Sequence, residues 1–309
     1  MADEQAEWIA ELIEPLLVRP GSTVRLERDF DPRYRPDPIR KQDAESLLDQ
    51  GVKLLTDYQA RLAAQDVYGL LVILQALDAA GKDSTIRHVM SGVNPQGVNV
   101  HAFKAPSIEE LDHDYLWRVA IRLPRRGEIT IFDRSHYEEV LVVRVHPELL
   151  DGQRLPPEER GQELWSKRFR QINDWERHLD ENGFRLVKLF LNVSKEEQRT
   201  RFLRRLDVPE KNWKFSMKDV QERRHWEEYQ AAYSEMLSHT STSWAPWHVI
   251  PADRKWFARI CVASVIVNAL MEIDPHYPSP DGEAQKELDA ARALLAAEGE
   301  DPRDTEGRT

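Results

Sequence analysis

The stretch Tyr68-Gly-Leu-Leu-Val-Ile-Leu-Gln-Ala-Leu-Asp-Ala-Ala-Gly-Lys-Asp-Ser-Thr-Ile-Arg87 reads as a buried strand, a tight small-residue turn and a helix. Gly69 to Leu74 is an apolar run of strand length, and Asp78-Ala-Ala-Gly-Lys-Asp83 is compact before helix-compatible residues resume. This is the grammar of a phosphate-binding loop. Successive backbone N–H groups and a helix N-terminus converge on one point and attract anions, while Lys82 adds a mobile positive charge. Ala79, Ala80, Gly81, Lys82, Asp83, Ser84 and Thr85 are the candidate cradle.

The match to G-x-x-x-x-G-K-[ST] has two departures. Ala76 stands at the first glycine position, and Asp83 stands where a hydroxyl follows the lysine, with Ser84 and Thr85 one and two residues late. That hydroxyl ordinarily holds Mg²⁺, so another ligand is needed. Asp78 is the candidate, because a carboxylate inside a phosphate cradle repels its ligand unless a cation lies between them.

A second acid stands farther along. Glu128-Ile-Thr-Ile-Phe-Asp133 reads as a strand ending in a carboxylate, and Arg134-Ser-His-Tyr-Glu138 continues from the edge of the sheet where α/β ligands bind. An Asp in this place also caps helices. Together with the loop, the spacing favours Asp78 and Asp133 as joint ligands of Mg²⁺ between phosphates. His136 is expected to pack or hydrogen-bond rather than act as a base, because a phosphate oxygen attacking another phosphate is already ionised.

The remaining elements alternate. Ala2 to Val18 and Ala44 to Gln65 have helical apolar spacing, and Arg19 to Arg40 reads as a surface loop. Further strands are expected at 97–103, 185–193 and 247–252, and helices at 107–123, opened by a Ser107–Glu110 capping box, and at 156–179. The order implies a parallel sheet with helices on both faces. From Ser194 to Met236 two helices flank Asp207-Val-Pro-Glu-Lys-Asn-Trp-Lys-Phe215, and residues 199–224 carry nine bases against four acids. A basic helical hairpin after the fourth strand suits a lid that closes over phosphates and excludes water. Trp226, Tyr229 and Tyr233 fall at helical spacing and read as a packing face.

With 41% hydrophobic and 31% charged residues the 309-residue chain suits a soluble globular protein. No uninterrupted apolar run is read as long enough to cross a bilayer, and a cytoplasmic location is expected. The lone Cys261 lies among apolar neighbours and reads as core. The net charge of −11 is concentrated at the ends. Residues 1–16 hold five acids and no base, residues 272–309 eleven acids and four bases, and the middle is left at +1, where basic patches can form.

Leu77-Asp-Ala-Ala-Gly-Lys82, Phe132-Asp-Arg-Ser-His-Tyr137 and Trp213-Lys-Phe215 resemble the Walker A, Walker B and lid motifs of the second family of polyphosphate kinases, over roughly residues 25 to 272. Gln75 to Asp83, Asn94-Pro-Gln-Gly97, Ser135 to Glu138 and Thr242-Ser-Trp-Ala-Pro-Trp247 are similar to its class III branch, and the family shares the Ala76 and Asp83 departures. The resemblance implies an α/β, P-loop kinase-like fold with a five-stranded parallel sheet, helices on both faces and a helical lid. The chain is read as N-terminal helices and a surface loop (1–66), a phosphotransferase core (67–272) with a lid at about 200–235, and an acidic tail (273–309) that lies outside the resemblance. The resemblance also implies Mg²⁺-dependent transfer of the terminal phosphate of inorganic polyphosphate to AMP and ADP, giving ATP, by a homo-oligomer with no nucleic-acid or membrane partner.

Residue by residue, it implies Asp78 and Asp133 as metal ligands, Lys82 on the reacting phosphates and Arg134 as a charge stabiliser beside them. Glu138 falls where class III members differ from their relatives, with a bearing on acceptor choice. Lys104, Arg118, Arg122, Arg201, Arg205 and Lys214 are candidates for the polyphosphate channel and lid. Two other functions fit the motifs: an ATP-dependent nucleoside or nucleotide kinase, and a polyphosphate-binding protein without catalysis. The number of bases available for a long anion argues against the first, and retention of two carboxylates in an anion site argues against the second.

Overall fold

The computed structural model describes residues 2–298. Five strands, β1 (Gly69–Ala76), β2 (Val98–Ala102), β3 (Ile129–Asp133), β4 (Phe184–Asn192) and β5 (Trp247–Pro251), form one parallel sheet in the order β2-β3-β1-β4-β5. β1 is buried along its whole length, which is why its sequence runs apolar instead of alternating. Its side chains still divide by face. Leu70, Val72 and Leu74 join the core built with helices Ala2–Ile13, Ala44–Gln65 and Lys255–Ile273. Leu71 and Ile73 join the opposite core, with Phe169, Ile172, Tyr233 and Met236 from helices Leu164–Glu181 and Trp226–Thr240. The sheet is thus covered on both faces, as the α/β order requires. Trp226, Tyr229 and Tyr233 are all buried, in their expected role as a packing face.

The described residues fall into two units, one reaching to Pro275 and one beginning at His276. The second contains the helix Gly282–Glu298, with Leu288, Leu294 and Leu295 exposed; residues 299–309 of the acidic tail lie outside the described residues.

Several expected elements are shorter than their spacing suggested. The Ser107–Glu110 capping box forms in both directions, but the helix it opens ends at Leu111 and resumes only over Trp117–Ala120. Between them the Asp114 carboxylate accepts from Leu116 N at 2.9 Å, a local bond that competes with the helix. The helix expected from Pro156 begins at Leu164, because the paired prolines support only a 3₁₀ turn and Gly161 is extended. Pro15 similarly turns the end of the first helix into a 3₁₀ segment, Glu14–Leu16. Lys255–Ile273 has the length and mean hydropathy of a membrane-crossing helix, though its apolar run is interrupted by Arg259 and Asn268, and 67% of its apolar window is buried inside the protein. It is a core helix, and buried Cys261 is part of it.

A fully buried ionic network supports the segment that leaves β3. The Lys188 ammonium on β4 donates to Glu176 Oε2 at 2.6 Å, to the Thr240 carbonyl at 2.6 Å and to the Tyr137 hydroxyl at 3.0 Å, and that hydroxyl donates to Glu176 Oε1 at 2.7 Å. Burial alone would raise the Glu176 carboxyl, but Lys188 and His136 outweigh it and hold Glu176 below the usual carboxylate range. A buried ion stripped of its partner is expensive. Lys188→Met is therefore expected to destabilise the protein by about 3–5 kcal/mol in urea unfolding, and adding Glu176→Leu should return part of the loss by removing the stranded carboxylate.

Candidate active site

The loop between β1 and the helix Lys82–Val89 has the geometry of a phosphate cradle. Gly81 caps the helix at φ +110° and Ala79 takes φ +63°, both left-handed values that turn the chain sharply. Ala76, the apparent defect in the motif, is still the last residue of β1 and needs no glycine there. The first-turn amides of the helix have no partner within it, which leaves them for an anion. Lys82 is buried at the helix start, with its Nζ 3.3 Å from the Ala76 carbonyl. The Ser84 hydroxyl accepts from Arg259 at 2.9 Å, and Thr85 is buried.

β3 pairs with β1 in a register that sets Asp133 opposite Leu74, at the carboxyl edge of the sheet. Asp133 Oδ1 lies 3.9 Å from Lys82 Nζ, beyond hydrogen-bond distance. That oxygen is buried and has no hydrogen-bond partner. Burial raises the Asp133 carboxyl above its ordinary value; Lys82 opposes the shift and Asp83 adds to it. An orphaned, buried carboxylate oxygen beside a phosphate cradle is the donor a hard divalent cation takes. Asp78 stands across the loop, with its Oδ1 held at 2.7 Å by Arg134 Nη2. Among the described residues no group of three or more His, Cys, Asp or Glu could hold a metal by itself. The two carboxylates therefore fit a cation whose remaining ligands are phosphate oxygens and water.

Arg134 has φ +64° directly after β3, and this turns its side chain back over the loop. Burial would lower the guanidinium pKa, but Glu138 and Asp78 outweigh it and raise it further, so the charge is permanent. Burial lifts the Glu138 carboxyl above its usual range despite Arg134 and Lys82. With its amide turned so that nitrogen meets carboxylate, Gln75 donates to Glu138 at 2.9 Å and accepts from Ser135. His136 is enclosed by Tyr137 and Trp175, at ring distances of 4.6 and 4.9 Å, and its burial pushes it toward the neutral form.

The cradle opens into a cavity of about 1060 Å³. Lys41, Lys82, Arg87, Lys104, Arg134, Arg201, Arg204, Arg205, Lys211, Arg254, Lys255 and Arg259 line it, outnumbering Asp78, Asp83, Asp133, Glu197, Glu210 and Asp253. Of the channel candidates, Lys104, Arg201 and Arg205 are on this wall. Arg118 is not among these residues: it lines a separate cavity, pairs with Glu110 at 3.2 Å and donates to the Lys104 carbonyl. Arg122 is an exposed residue and is also absent from this wall. The side chain of Lys214 lies outside the described residues. Lys41, Arg87, Arg254, Lys255 and Arg259 were missed because they come from distant segments whose convergence no local pattern announces. On the far side of the Asp78–Arg134 pair, Glu138, Asp219, Glu222, Trp226, Tyr229 and Tyr233 line a small cavity of about 40 Å³.

A parallel sheet with a phosphate loop, a second acid on the neighbouring strand and a basic helical hairpin defines a P-loop phosphotransferase. The model of the family Polyphosphate kinase 2 matches residues 39–278, and the chain belongs to that family. It is 49% identical over 266 residues to an ADP-polyphosphate phosphotransferase of Rhodopseudomonas palustris, covering 86% of this chain and 91% of the relative. It is 46% identical over 259 residues to an AMP/ADP-polyphosphate phosphotransferase of Meiothermus ruber, covering 82% and 93%. The crystal structure of Polyphosphate Kinase 2 from Arthrobacter aurescens superposes with a TM-score of 0.82 at 40% identity, covering 93% of this chain and 96% of that one.

Lys255 gives the cavity a pH dependence. Burial, with Arg201 and Arg204 nearby, pushes its ammonium down to about 8. It is charged below that pH and neutral above it, and a bound anion favours the charged form. Affinity for inorganic tripolyphosphate, measured by calorimetry, is expected to weaken as pH rises through about 8. In Lys255→Arg this step should be absent, because arginine stays charged.

Proposed function

We propose that this chain transfers the terminal phosphate of inorganic polyphosphate to AMP and to ADP, giving ADP and then ATP, in a reversible Mg²⁺-dependent reaction. The observation that carries this is the meeting of the phosphate loop, the orphaned Asp133 oxygen and a long wall of cations in one cavity. A nucleotide donor needs a short cradle, whereas a wall drawing bases from six separate parts of the chain suits a longer polyanion. The names of the relatives, which include both ADP- and AMP/ADP-polyphosphate phosphotransferases, support the same donor.

The residues divide the work by position. The loop amides and Lys82 hold the reacting phosphates, and Arg134 neutralises charge that develops between donor and acceptor. Mg²⁺, held by Asp133 and Asp78, would supply further neutralisation of phosphate charge. Lys104, Arg204, Arg205, Lys211 and Lys255 carry the chain along the cavity. Glu138, facing the small cavity behind Arg134, bears on which nucleotide is accepted. The acceptor phosphate oxygen is ionised at neutral pH and attacks in line without a general base, and the enclosure of His136 is in keeping with that.

In this proposal residues 67–272 are the phosphotransferase core, with residues 200–235 as its lid, braced by 1–66, and the acidic stretch from 273 has no part in the chemistry. We further place the enzyme in the cytoplasm with its nucleotide substrates, as a homo-oligomer that engages neither nucleic acid nor membrane.

Nucleotide analysis after incubation with Mg²⁺ and polyphosphate, separately with AMP and with ADP, tests the reaction. ADP followed by ATP is expected from AMP; absence of product with both acceptors would refute it. Asp133→Asn and Lys82→Ala are each expected to keep the circular dichroism spectrum while turnover falls by about 10²–10⁴, the scale of losing a main charge-stabilising group.

A further inference from the structure

We propose that Gln198 and Arg201, on the first lid helix, are positioning residues that hold the phosphate loop in its binding conformation. The proposal rests on the phosphotransferase reading above for its activity measurements but not for its structural one. A loop that turns its N–H groups toward an anion turns carbonyls the other way, and each buried carbonyl needs a donor. Here three consecutive carbonyls are taken from a single face of the helix Lys195–Asp207. Gln198 Nε2 donates to the Asp78 carbonyl at 2.9 Å, and Arg201 Nη1 donates to those of Ala79 at 3.1 Å and Ala80 at 2.5 Å. The two side chains stand three residues apart, one turn of helix.

The donors of Arg201 are all committed. Nη2 donates to the carbonyls of Ala252 and Asp253 at 2.5 and 3.2 Å, and Nε donates to Glu197 at 2.7 Å. A guanidinium has five N–H donors, and these five bonds use them. Although Arg201 borders the cation-lined cavity, it is 6% exposed and has no donor left for a phosphate chain. It ties the loop, the end of β5 and the lid helix together at one point. Ala79, whose φ of +63° a residue with a Cβ rarely adopts, has its carbonyl fixed by this bond.

The clamp extends to the returning half of the hairpin. Arg223 donates to the Gln198 side-chain oxygen and to the Lys195 carbonyl, so the segment after helix Met217–Glu222 is linked through Gln198 to Asp78. The lid helix is fixed in turn at its start. Asp253 accepts from Ser194 N and Oγ, both at 2.8 Å, and Ser194 Oγ caps Glu197 N at 3.1 Å. The shape of the cradle and the placement of the lid base are therefore set by the same bonds.

Arg201→Lys tests this because lysine keeps the charge but cannot span four carbonyls and a carboxylate. The expected result is a fall of about 100-fold in kcat, the scale of a small misplacement of reacting groups, with KM for polyphosphate changed by less than about threefold. Gln198→Glu keeps the shape and the acceptor for Arg223 but loses the donor to Asp78, and a fall in kcat in the same direction is expected even if Arg201→Lys folds poorly. Amide hydrogen exchange of residues 79–83 should accelerate in both variants while helix Lys255–Ile273 stays protected. A raised KM with kcat retained in Arg201→Lys would make Arg201 an ordinary channel cation and overturn the proposal, as would unchanged kinetics and exchange. Turnover by the unaltered protein in the same assay tests the reaction separately, and the exchange measurement reads the clamp with no turnover at all.

Discussion

The Asp133 carboxylate at the end of β3 and the Lys82 ammonium at the start of the helix after the phosphate loop face each other across 3.9 Å, buried and incompletely paired. The rest of the site depends on that gap. A direct ion pair would satisfy both groups and leave nothing for a substrate. A wider separation would leave each buried charge alone, at a cost no marginally stable domain sustains. The register of β1 against β3 places Asp133 beside the end of β1, and the turn from β1 into the helix Lys82–Val89 brings Lys82 back toward it, with its ammonium on the Ala76 carbonyl.

Around this pair the chain repeats one device, a side chain from a distant segment closing a bond that the local backbone cannot. Arg134 reaches back to Asp78, Arg259 takes the Ser84 hydroxyl, and Tyr137 is locked by Glu176 and Lys188 beneath the sheet. Each of these fixes a residue adjacent to the cradle. The site is thus carried on rigid elements, while the basic wall above it is drawn largely from the hairpin and from the start of the helix at Lys255.

How far these features were legible in the sequence follows from the range of the forces that produce them. The strands could be read because complete burial demands uninterrupted apolar runs, and the loop because positive φ at Gly81 and a cation at Lys82 leave a short-range signature. Asp133 could be read from its place at the end of a strand. The helices at 107–123 and 156–179 could not be bounded, since spacing alone does not weigh an Asp114 side-chain bond or two prolines against helix propagation. Arg118 and Arg122 have the correct charge, but nothing in their spacing says which surface they face. Arg201 has both charge and place, yet only tertiary structure shows that its donors are spent on carbonyls. Lys255, at the head of an apolar helix, carries no local sign of the cluster it joins.

The most direct test of the central claim is a Mn²⁺ titration followed by electron paramagnetic resonance, with and without inorganic tripolyphosphate. If the Asp133 oxygen is one half of a metal site that phosphate completes, Mn²⁺ binds weakly alone, tightens when tripolyphosphate is present, and loses that tightening in Asp133→Asn. Equal Mn²⁺ affinity in the presence and absence of tripolyphosphate, or an undiminished effect in Asp133→Asn, would contradict it.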